Sequence, residues 1–272
     1  MDRVIDSLED GARAPSSTRA VDEADLERRF GGLRRLYGDA AYARIRTARV
    51  AIIGVGGVGS WAAEALARSG VAALTLIDLD HVAESNINRQ VQALGATLGQ
   101  AKVQALRERV ADIHPGCAVT EVEEFVDEGN WPVLLPQPVD IVIDACDQVR
   151  AKMAIAAWAL RTRTPLVIAG AAGGKRRPQA IEVDDLANTT HDPLLASLRQ
   201  RLRKQHGAAR SGTIGLRCVF SRESVALPVG VAECDVIDSN LNCHGYGSSV
   251  TVTAAFGMAC AAVALEFRAA QK

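Results

Sequence analysis

The sequence has few aromatic residues and no excess of either charge. Aromatic residues make up 4% of the 272 residues, and 31 lysines and arginines balance 32 aspartates and glutamates, for a net charge of −1. A chain this neutral is not a histone-like polycation, so any nucleic-acid contact must come from a local basic patch. The scarcity of aromatic residues argues against a surface that stacks many bases.

Cysteine is also scarce, and no two cysteines form a CxxC pair. The six are Cys117, Cys146, Cys218, Cys234, Cys243 and Cys260. Their dilution excludes a disulfide scaffold and predicts reduced thiols in a cytoplasmic protein. The absence of CxxC pairs excludes a zinc tetrad built from two of them.

Long hydrophobic runs are rare. Residues 1–22 are polar and acidic, which predicts a flexible N-terminal tail and neither a signal nor a transit peptide. Residues 250–265 are the one membrane-like segment, but it is shorter than the roughly 20 apolar residues that a spanning helix needs. We therefore predict a buried core helix there.

Apolar, strand-like runs alternate with helical patterns through the first two thirds of the chain. The strand-like runs cover residues 49–53, 73–78, 119–125, 140–144 and 165–169. The helical stretches cover 58–69, 102–113 and about 149–161, and residues 22–42 contain a charged helix before the first strand. This alternation predicts a Rossmann-like α/β fold, with a mostly parallel sheet and helices on both faces. Beyond residue 173, short strands at 181–183 and 217–221 and a helix from Pro193 to about residue 206, with Asp192 as its N-cap, predict a smaller α+β part.

A glycine-rich turn lies between the first strand and the helix that follows it. Its glycines are Gly54, Gly56, Gly57 and Gly59. The spacing G-x-G-x-x-G allows a tight turn and lets the helix N-terminus face a phosphate. Asp78, about 20 positions further on, is placed to hold a ribose hydroxyl, and Asp80 follows it. The turn alone does not distinguish ATP from NAD, and a tight turn without a ligand is the alternative.

Charged residues then follow the second and fourth strands, at the edge where open α/β sheets bind ligands. Arg89 and Lys102 favour a triphosphate over a hydride carrier, and solvated surface charges are the alternative. Asp147 is placed to hold a Mg²⁺ that bridges phosphates, or to cap the helix that begins near residue 149.

Taken in order, these motifs resemble the ubiquitin-activating-enzyme-like adenylating superfamily, which includes the activators of molybdopterin-synthase and thiamine sulfur carriers. The resemblance covers residues 29–173 and rests on G-x-G-G-x-G, D-L-D at 78–80, S-N-x-x-R-Q at 85–90, G-Q-x-K at 99–102 and D-A-C-D at 144–147. It implies an enzyme that binds ATP and Mg²⁺ within an adenylating domain over residues 23–173. Residues 174–272 would form a substrate and dimer part packed on the same core.

The resemblance also implies a role for each site residue. Asp78 would bind the ribose, Arg89 and Lys102 would hold the phosphates, and Asp147 would bind Mg²⁺. Asn86 and Gln90 would support the phosphate site. The shared reaction of the superfamily is attack of a carboxylate on the α-phosphate of ATP, which gives an acyl-adenylate and pyrophosphate.

Further segments at 29–38, 59–68, 147–150, 192–194 and 218–221 resemble the branch of this superfamily that dehydrates threonylcarbamoyladenosine beside the anticodon of bacterial tRNA. This implies a cytoplasmic homodimer that activates the threonylcarbamoyl carboxylate and then closes a ring within the same side chain. Three alternatives stay open: adenylation of the C-terminal glycine of a ubiquitin-like sulfur carrier, an NAD-dependent oxidoreductase, and a non-catalytic module that retains nucleotide affinity.

The sequence specifies the contacts to a partner subunit and to tRNA less closely than it specifies the nucleotide site. In the sulfur-carrier branch an N-terminal arginine reaches the phosphates across a dimer. Here Gly32 stands at its position, which leaves Arg29 or Arg35. A candidate tRNA surface comprises Lys175, Arg176, Arg177, Arg199, Arg201, Arg203, Lys204, Arg210 and Arg217. A catalytic Cys234 or Cys243, and a cysteine-desulfurase and sulfur-acceptor system as a partner, stay open.

Overall fold

A seven-stranded sheet organises the structure, a computed structural model that describes residues 25–226 and 246–271. The strands are β1 (Arg49–Ile53), β2 (Ala73–Ile77), β3 (Ala118–Val122), β4 (Ile141–Asp144), β5 (Leu166–Ala169), β6 (Ile181–Asp185) and β7 (Arg217–Ser221). Their order is β3-β2-β1-β4-β5-β7-β6. All neighbouring pairs are parallel except β6 with β7. The predicted Rossmann-like, mostly parallel sheet is confirmed.

Helices cover both faces of the sheet. They are α1 (Leu26–Tyr37), α2 (Asp39–Arg46), α3 (Gly59–Arg68), α4 (Lys102–Ile113), α5 (Val149–Thr162), α6 (Pro193–Gln205) and α7 (Val250–Ala270). Alternate residues of β1 point to opposite faces: Ile52 packs with residues of α3, α4 and α7, and Ile53 with residues of α5 and α6. The two apolar layers that result fix the carboxyl ends of the strands along one edge.

Two predicted elements differ from those observed. Where one charged helix was expected within residues 22–42, the structure has two, because Gly38 adopts a φ of +79° between α1 and α2. The strand expected at 119–125 ends at Val122, and the residues that follow it turn into the cleft described below. The predicted N-terminal tail lies outside the described residues.

The C-terminal elements belong to the same sheet and core as the N-terminal ones. β7 pairs with β5, and α7 packs along α3 so closely that a Cβ on Gly257 would lie 2.5 Å from the carbonyl oxygen of Val58. By length and composition α7 could cross a membrane, yet half of its most apolar window is buried. This packing agrees with the predicted core helix. The boundary at residue 173 stays a prediction.

His114, at the end of α4, gives a pH-dependent contribution to stability. Burial, and then repulsion by Arg46 and Arg29, lowers its pKa from 6.5 to about 4. A pKa lowered by folding stabilises the folded state above the unfolded value, so the contribution is lost as the pH falls from about 6.5 towards 4. We expect the free energy of unfolding to drop by up to about 3 kcal/mol across this window because of this group.

Urea unfolding at several pH values measures the effect, and His114→Gln is the control. The variant should lack this part of the decline. An identical pH dependence in both proteins would contradict the assignment.

Candidate active site

The glycine turn after β1 is shaped by two glycines whose Cβ atoms would not fit. Gly54 has a φ of +80°, and a Cβ there would lie 3.0 Å from the backbone of Ala145. A Cβ on Gly59 would overlap the carbonyl oxygen of Gly54. Gly56, in contrast, borders open cleft, with Gln90 Nε2 the nearest atom at 3.9 Å from its Cβ position. The turn therefore leaves room for a ligand directly at the N-terminus of α3.

Asp78 holds this turn in place. Its Oδ2 accepts a hydrogen bond from the Val55 amide at 2.8 Å, and its Oδ1 accepts one from the Asp80 amide at 2.9 Å. Burial raises the pKa of Asp78, against the opposing attraction of Lys102. The sequence predicted a ribose ligand at this position. The structure adds a second role for Asp78, which is to hold the glycine turn in shape.

Arg89 and Lys102 are buried cations at the cleft. They are 9% and 6% exposed, which excludes the alternative of solvated surface charges. Lys102 Nζ lies 2.6 Å from Asp80 and 4.0 Å from Asp78. Arg89 donates to the Ser85 carbonyl at 2.6 Å and to Asn88 Oδ1 at 2.9 Å. Buried cations beside the glycine turn favour the binding of a highly charged anionic ligand.

The backbone of Arg89 is fixed from two helices. Its carbonyl oxygen accepts hydrogen bonds from Trp61 Nε1 of α3 at 3.0 Å and from Thr253 Oγ1 of α7 at 3.3 Å. Thr253 also lies 3.1 Å from the Cβ position of Gly57. The C-terminal helix thus contributes directly to the floor of the site, which sequence reasoning missed.

The two predicted supporting residues, Asn86 and Gln90, occupy different places. Asn86 is buried and accepts a hydrogen bond from the Ala83 amide at 3.1 Å, so it shapes the turn that leads to Arg89. Gln90 lines the cleft and accepts a hydrogen bond from Gln92 Nε2 at 3.2 Å. Gln92, which sequence reasoning missed, also donates to the Val55 carbonyl at 2.9 Å and so ties this segment to the glycine turn.

A fully buried ion pair lies at the end of β4. Lys152 Nζ is 3.1 Å from Asp144 Oδ1 and 3.3 Å from the Asp144 carbonyl oxygen. The amide and thiol of Cys146 donate to the same Oδ1, whereas Oδ2 has no hydrogen-bond partner. Lys152 was missed, although a lysine in register with Ile155, Ala156 and Ala159 on an apolar helix face is a detectable signal.

Asp147 is exposed and lines the cleft beside this ion pair. The N-cap of α5 is Gln148, without a side-chain hydrogen bond, so the alternative role of Asp147 as an N-cap is not observed. Within residues 25–226 and 246–271, no group of three His, Cys, Asp or Glu side chains could hold a metal ion. A single carboxylate that shares Mg²⁺ with ligand phosphates and waters fits this donor set.

The cleft runs along the carboxyl edge of the sheet. It is lined by residues that follow β1 to β5, from Gly54 and Asp78 to Phe125, Ala145 and Gly170. This is the edge at which open α/β sheets bind ligands. Cys146 also lines the cleft, but burial, and then the neighbouring Asp144, raises the pKa of its thiol well above the usual range. That thiol is therefore protonated and a poor nucleophile at neutral pH.

The predicted basic surface needs correction at three positions. Lys175 is buried and donates to the carbonyls of His191 and Glu223. Arg199 donates to the carbonyls of Leu186 and Thr189, and so stabilises the preceding turn. Arg217 begins β7, at the edge of the sheet opposite the cleft. Since these side chains support local structure or lie far from the cleft, the nine cations do not form one patch.

Of the remaining six, Arg176 and Arg177 are exposed and follow the cleft-lining Gly173. The other four are Arg201, Arg203, Lys204 and Arg210, and they lie on or beyond the second half of α6. Because α6 begins at the cleft with Pro193, its second half extends away from it.

The two N-terminal arginines differ in their contacts. Both side chains are exposed, and Arg29 donates to the carbonyls of Asp112 and Ile113 at the end of α4. Arg29 thus already has a local role, which leaves Arg35 as the freer side chain of the two. Cys234 and Cys243 lie outside the described residues.

A parallel sheet with a glycine turn, two buried cations and a carboxylate at its carboxyl edge defines a nucleotide-binding α/β protein. Comparison with known families is more specific: the ThiF family model matches residues 29–269, and the chain belongs to this family.

The relatives cover the chain to different extents. A tRNA threonylcarbamoyladenosine dehydratase of Escherichia coli is 42% identical over 247 residues, which are 88% of this chain and 92% of that protein. The crystal structure of the E. coli enzyme in complex with ATP has a TM-score of 0.80 and covers 89% of this chain and 94% of that one. The E. coli molybdopterin-synthase adenylyltransferase is 38% identical over 123 residues, 45% of this chain.

Proposed function

We propose that the protein is an ATP-dependent tRNA threonylcarbamoyladenosine dehydratase. The observation that carries this proposal is the extent of the similarity. It covers 88% of this chain for the dehydratase, but less than half of the chain for the sulfur-carrier activator. α7 supplies Thr253 to the floor of the cleft, so the C-terminal part of the chain also reaches the site.

In the first step, the side chains bind ATP and orient its α-phosphate towards the substrate carboxylate. The glycine turn and the N-terminus of α3 receive phosphate oxygens, and Arg89 and Lys102 offset the charge that develops on the departing pyrophosphate. Asp147 would hold Mg²⁺, which when bound supplies further positive charge at the phosphates. The attacking carboxylate is already ionised, so this step needs no general base.

In the second step, the acyl-adenylate is attacked by an atom of the carbamoyl unit in the same side chain. AMP leaves, a five-membered ring forms, and the net change is the loss of one water. Such an intramolecular attack has a high effective molarity, so the enzyme mainly has to hold the side chain in a reactive conformation and keep water out.

The finer assignments rest on the same proposal. We infer that Arg176 and Arg177 are the RNA-phosphate contacts nearest the cleft, since both are exposed and follow one of its walls. A homodimer, with Arg35 reaching the phosphates of the partner subunit, and a cytoplasmic location are part of the proposal. So is an adenylating domain over residues 23–173, with residues 174–272 as a substrate and dimer part packed on the same core.

Acceptor-dependent release of AMP tests the function. Protein, ATP and Mg²⁺ are incubated with tRNA bearing threonylcarbamoyladenosine, with tRNA lacking it, or with ubiquitin-like carriers ending in glycine. We expect AMP and pyrophosphate only with the modified tRNA, and a loss of about 100-fold or more in Asp147→Ala. Glu128→Ala, an exposed carboxylate outside the cleft, is the matched control and should keep wild-type activity.

The other outcomes separate the alternatives. AMP release with a carrier protein alone would identify a sulfur-carrier activator. Tight NAD binding without ATP binding would identify an oxidoreductase. ATP binding without turnover on any acceptor would identify a non-catalytic module.

A further inference from the structure

The cleft consists of two halves with different chemistry, on either side of the glycine turn. The half next to β2 and β3 contains Asp78, Asp80, Arg89, Lys102 and Glu124. The half next to β5 is formed by residues 170–173, Pro193, Leu194, Val225 and Tyr246. This second half presents small and apolar side chains and one tyrosine, with no carboxylate or cation.

The polar groups close to the second half are engaged elsewhere. Asp192 accepts hydrogen bonds from the amides of Ala171 at 2.8 Å and Leu195 at 3.0 Å. The buried Lys175 ammonium donates to two backbone carbonyls. Both charged side chains therefore bind backbone groups of the loops that surround this half of the cleft. The side chains that face the cleft are apolar or aromatic.

The backbone next to Tyr246 is hydrogen-bonded to the segment that forms this second half of the cleft. The carbonyl oxygen of Gly247 accepts a hydrogen bond from the Gly174 amide at 2.9 Å, and the Gly174 carbonyl accepts one from the Ala226 amide at 2.8 Å. Gly174 has a φ of +70°, and a Cβ there would lie 2.7 Å from Val225. These hydrogen bonds connect the backbone beside Tyr246 to Gly174 and, through Gly174, to Ala226.

The position of ATP determines which ligand can reach this half. If the phosphates bind at the glycine turn after β1 and the ribose near Asp78 after β2, as proposed above, the adenine of ATP extends towards β3. There Phe125 lines the cleft with 49% of its surface exposed. The half of the cleft next to β5 lies on the other side of the phosphates, so it stays open for the second substrate.

We propose that this half is the acceptor-nucleobase subsite, in which the ring of Tyr246 stacks on the adenine base of the modified adenosine. The inference rests on the proposed function and adds the place and mode of substrate binding. A flat, uncharged purine matches the apolar wall, and stacking on an aromatic side chain is worth about 1–3 kcal/mol per base. The threonylcarbamoyl side chain then extends from the base towards the α-phosphate.

Binding of anticodon stem-loop RNA tests the subsite without requiring turnover. Dissociation constants are measured in the presence of AMP for RNA with the modified adenosine and for the same RNA with an abasic nucleotide at that position. Tyr246→Leu should weaken binding of the modified RNA about tenfold and leave binding of the abasic RNA unchanged. Tyr246→Phe keeps the ring and should bind like the wild type.

The matched control is Phe125→Leu, which removes the aromatic ring at the other end of the cleft. It should weaken ATP binding and leave binding of both RNAs unchanged, whereas Tyr246→Leu should leave ATP binding unchanged. Equal weakening of modified and abasic RNA by Tyr246→Leu would overturn the stacking proposal, and so would no effect on either RNA. A Tyr246→Phe variant as weak as Tyr246→Leu would also overturn it, because the hydroxyl would then carry the effect.

Failure of the subsite and failure of the proposed function give different results. If the wild-type protein dehydrates modified tRNA but Tyr246→Leu behaves like the wild type in both binding assays, only the subsite is wrong. If the wild-type protein binds the modified and abasic RNAs equally and releases no AMP with either, the proposed function fails as well.

Discussion

Replacing Lys152 by methionine is expected to lower the free energy of unfolding by about 3–5 kcal/mol, the cost of removing one partner from a buried ion pair. Both side chains are fully buried, and the Lys152 ammonium contacts both the carboxylate and the carbonyl oxygen of Asp144. Burial acts to lower the pKa of Lys152, but the charge of Asp144 and the hydrogen bond to it act in the opposite direction, so the net pKa is raised and the lysine stays charged. Without it, a buried carboxylate is left with only the Cys146 donors.

Urea denaturation of the variants measures this effect. The double variant Asp144→Asn with Lys152→Met removes both charges and should recover most of the lost stability, because no uncompensated charge remains. A Lys152→Met protein within about 1 kcal/mol of the wild type would contradict the ion pair as described, and so would a double variant no more stable than the single one.

Substituting alanine for Gly59 is expected to abolish tight ATP binding. The new Cβ would overlap the Gly54 carbonyl oxygen, and because that atom belongs to the backbone of the turn, the start of α3 must move. This displaces the amides that face the phosphates. Each charge-assisted hydrogen bond is worth about 1.5–3 kcal/mol, so the loss of two weakens ATP about 100-fold or more.

Gly56→Ala is the matched control in the same turn. Its Cβ position is open, with the nearest atom 3.9 Å away, so the fold accommodates the methyl group and stability stays within about 0.5 kcal/mol of the wild type. Thermal unfolding compares the stability of the two variants, and calorimetric titration measures the ATP affinity of Gly59→Ala. Wild-type ATP affinity in Gly59→Ala would contradict the geometry of the turn.

The strands and most helices could be predicted because their signals are local. β1, β2 and β4 are short apolar runs that end at glycine or aspartate, and α6 begins at Asp192 and Pro193, an N-cap followed by a proline at the first helical position. The glycine turn and Asp78 were predictable for the same reason, because a fixed spacing along the chain places them at one edge of the sheet. Lys102 and Asp147 also reach this edge through the parallel order of the strands.

The roles that could not be predicted depend on contacts between distant segments. From the sequence, Lys175 and Arg199 were expected to be surface cations of a basic patch. In the structure each donates to backbone carbonyls that come within reach only when the chain folds. Thr253 reaches the site because α7 packs on α3, which no local pattern specifies. Local patterns in the sequence thus locate the edge of the sheet along which the cleft runs, but not the groups that hold this edge in shape.

The most direct test of the central claim is mass spectrometry of anticodon-loop nucleosides after incubation of modified tRNA with the protein, ATP and Mg²⁺. We expect the threonylcarbamoyladenosine nucleoside to lose the mass of one water in step with AMP release. Omission of ATP or the Asp147→Ala substitution should prevent this loss. An unchanged nucleoside mass in a reaction that consumes ATP would contradict the account.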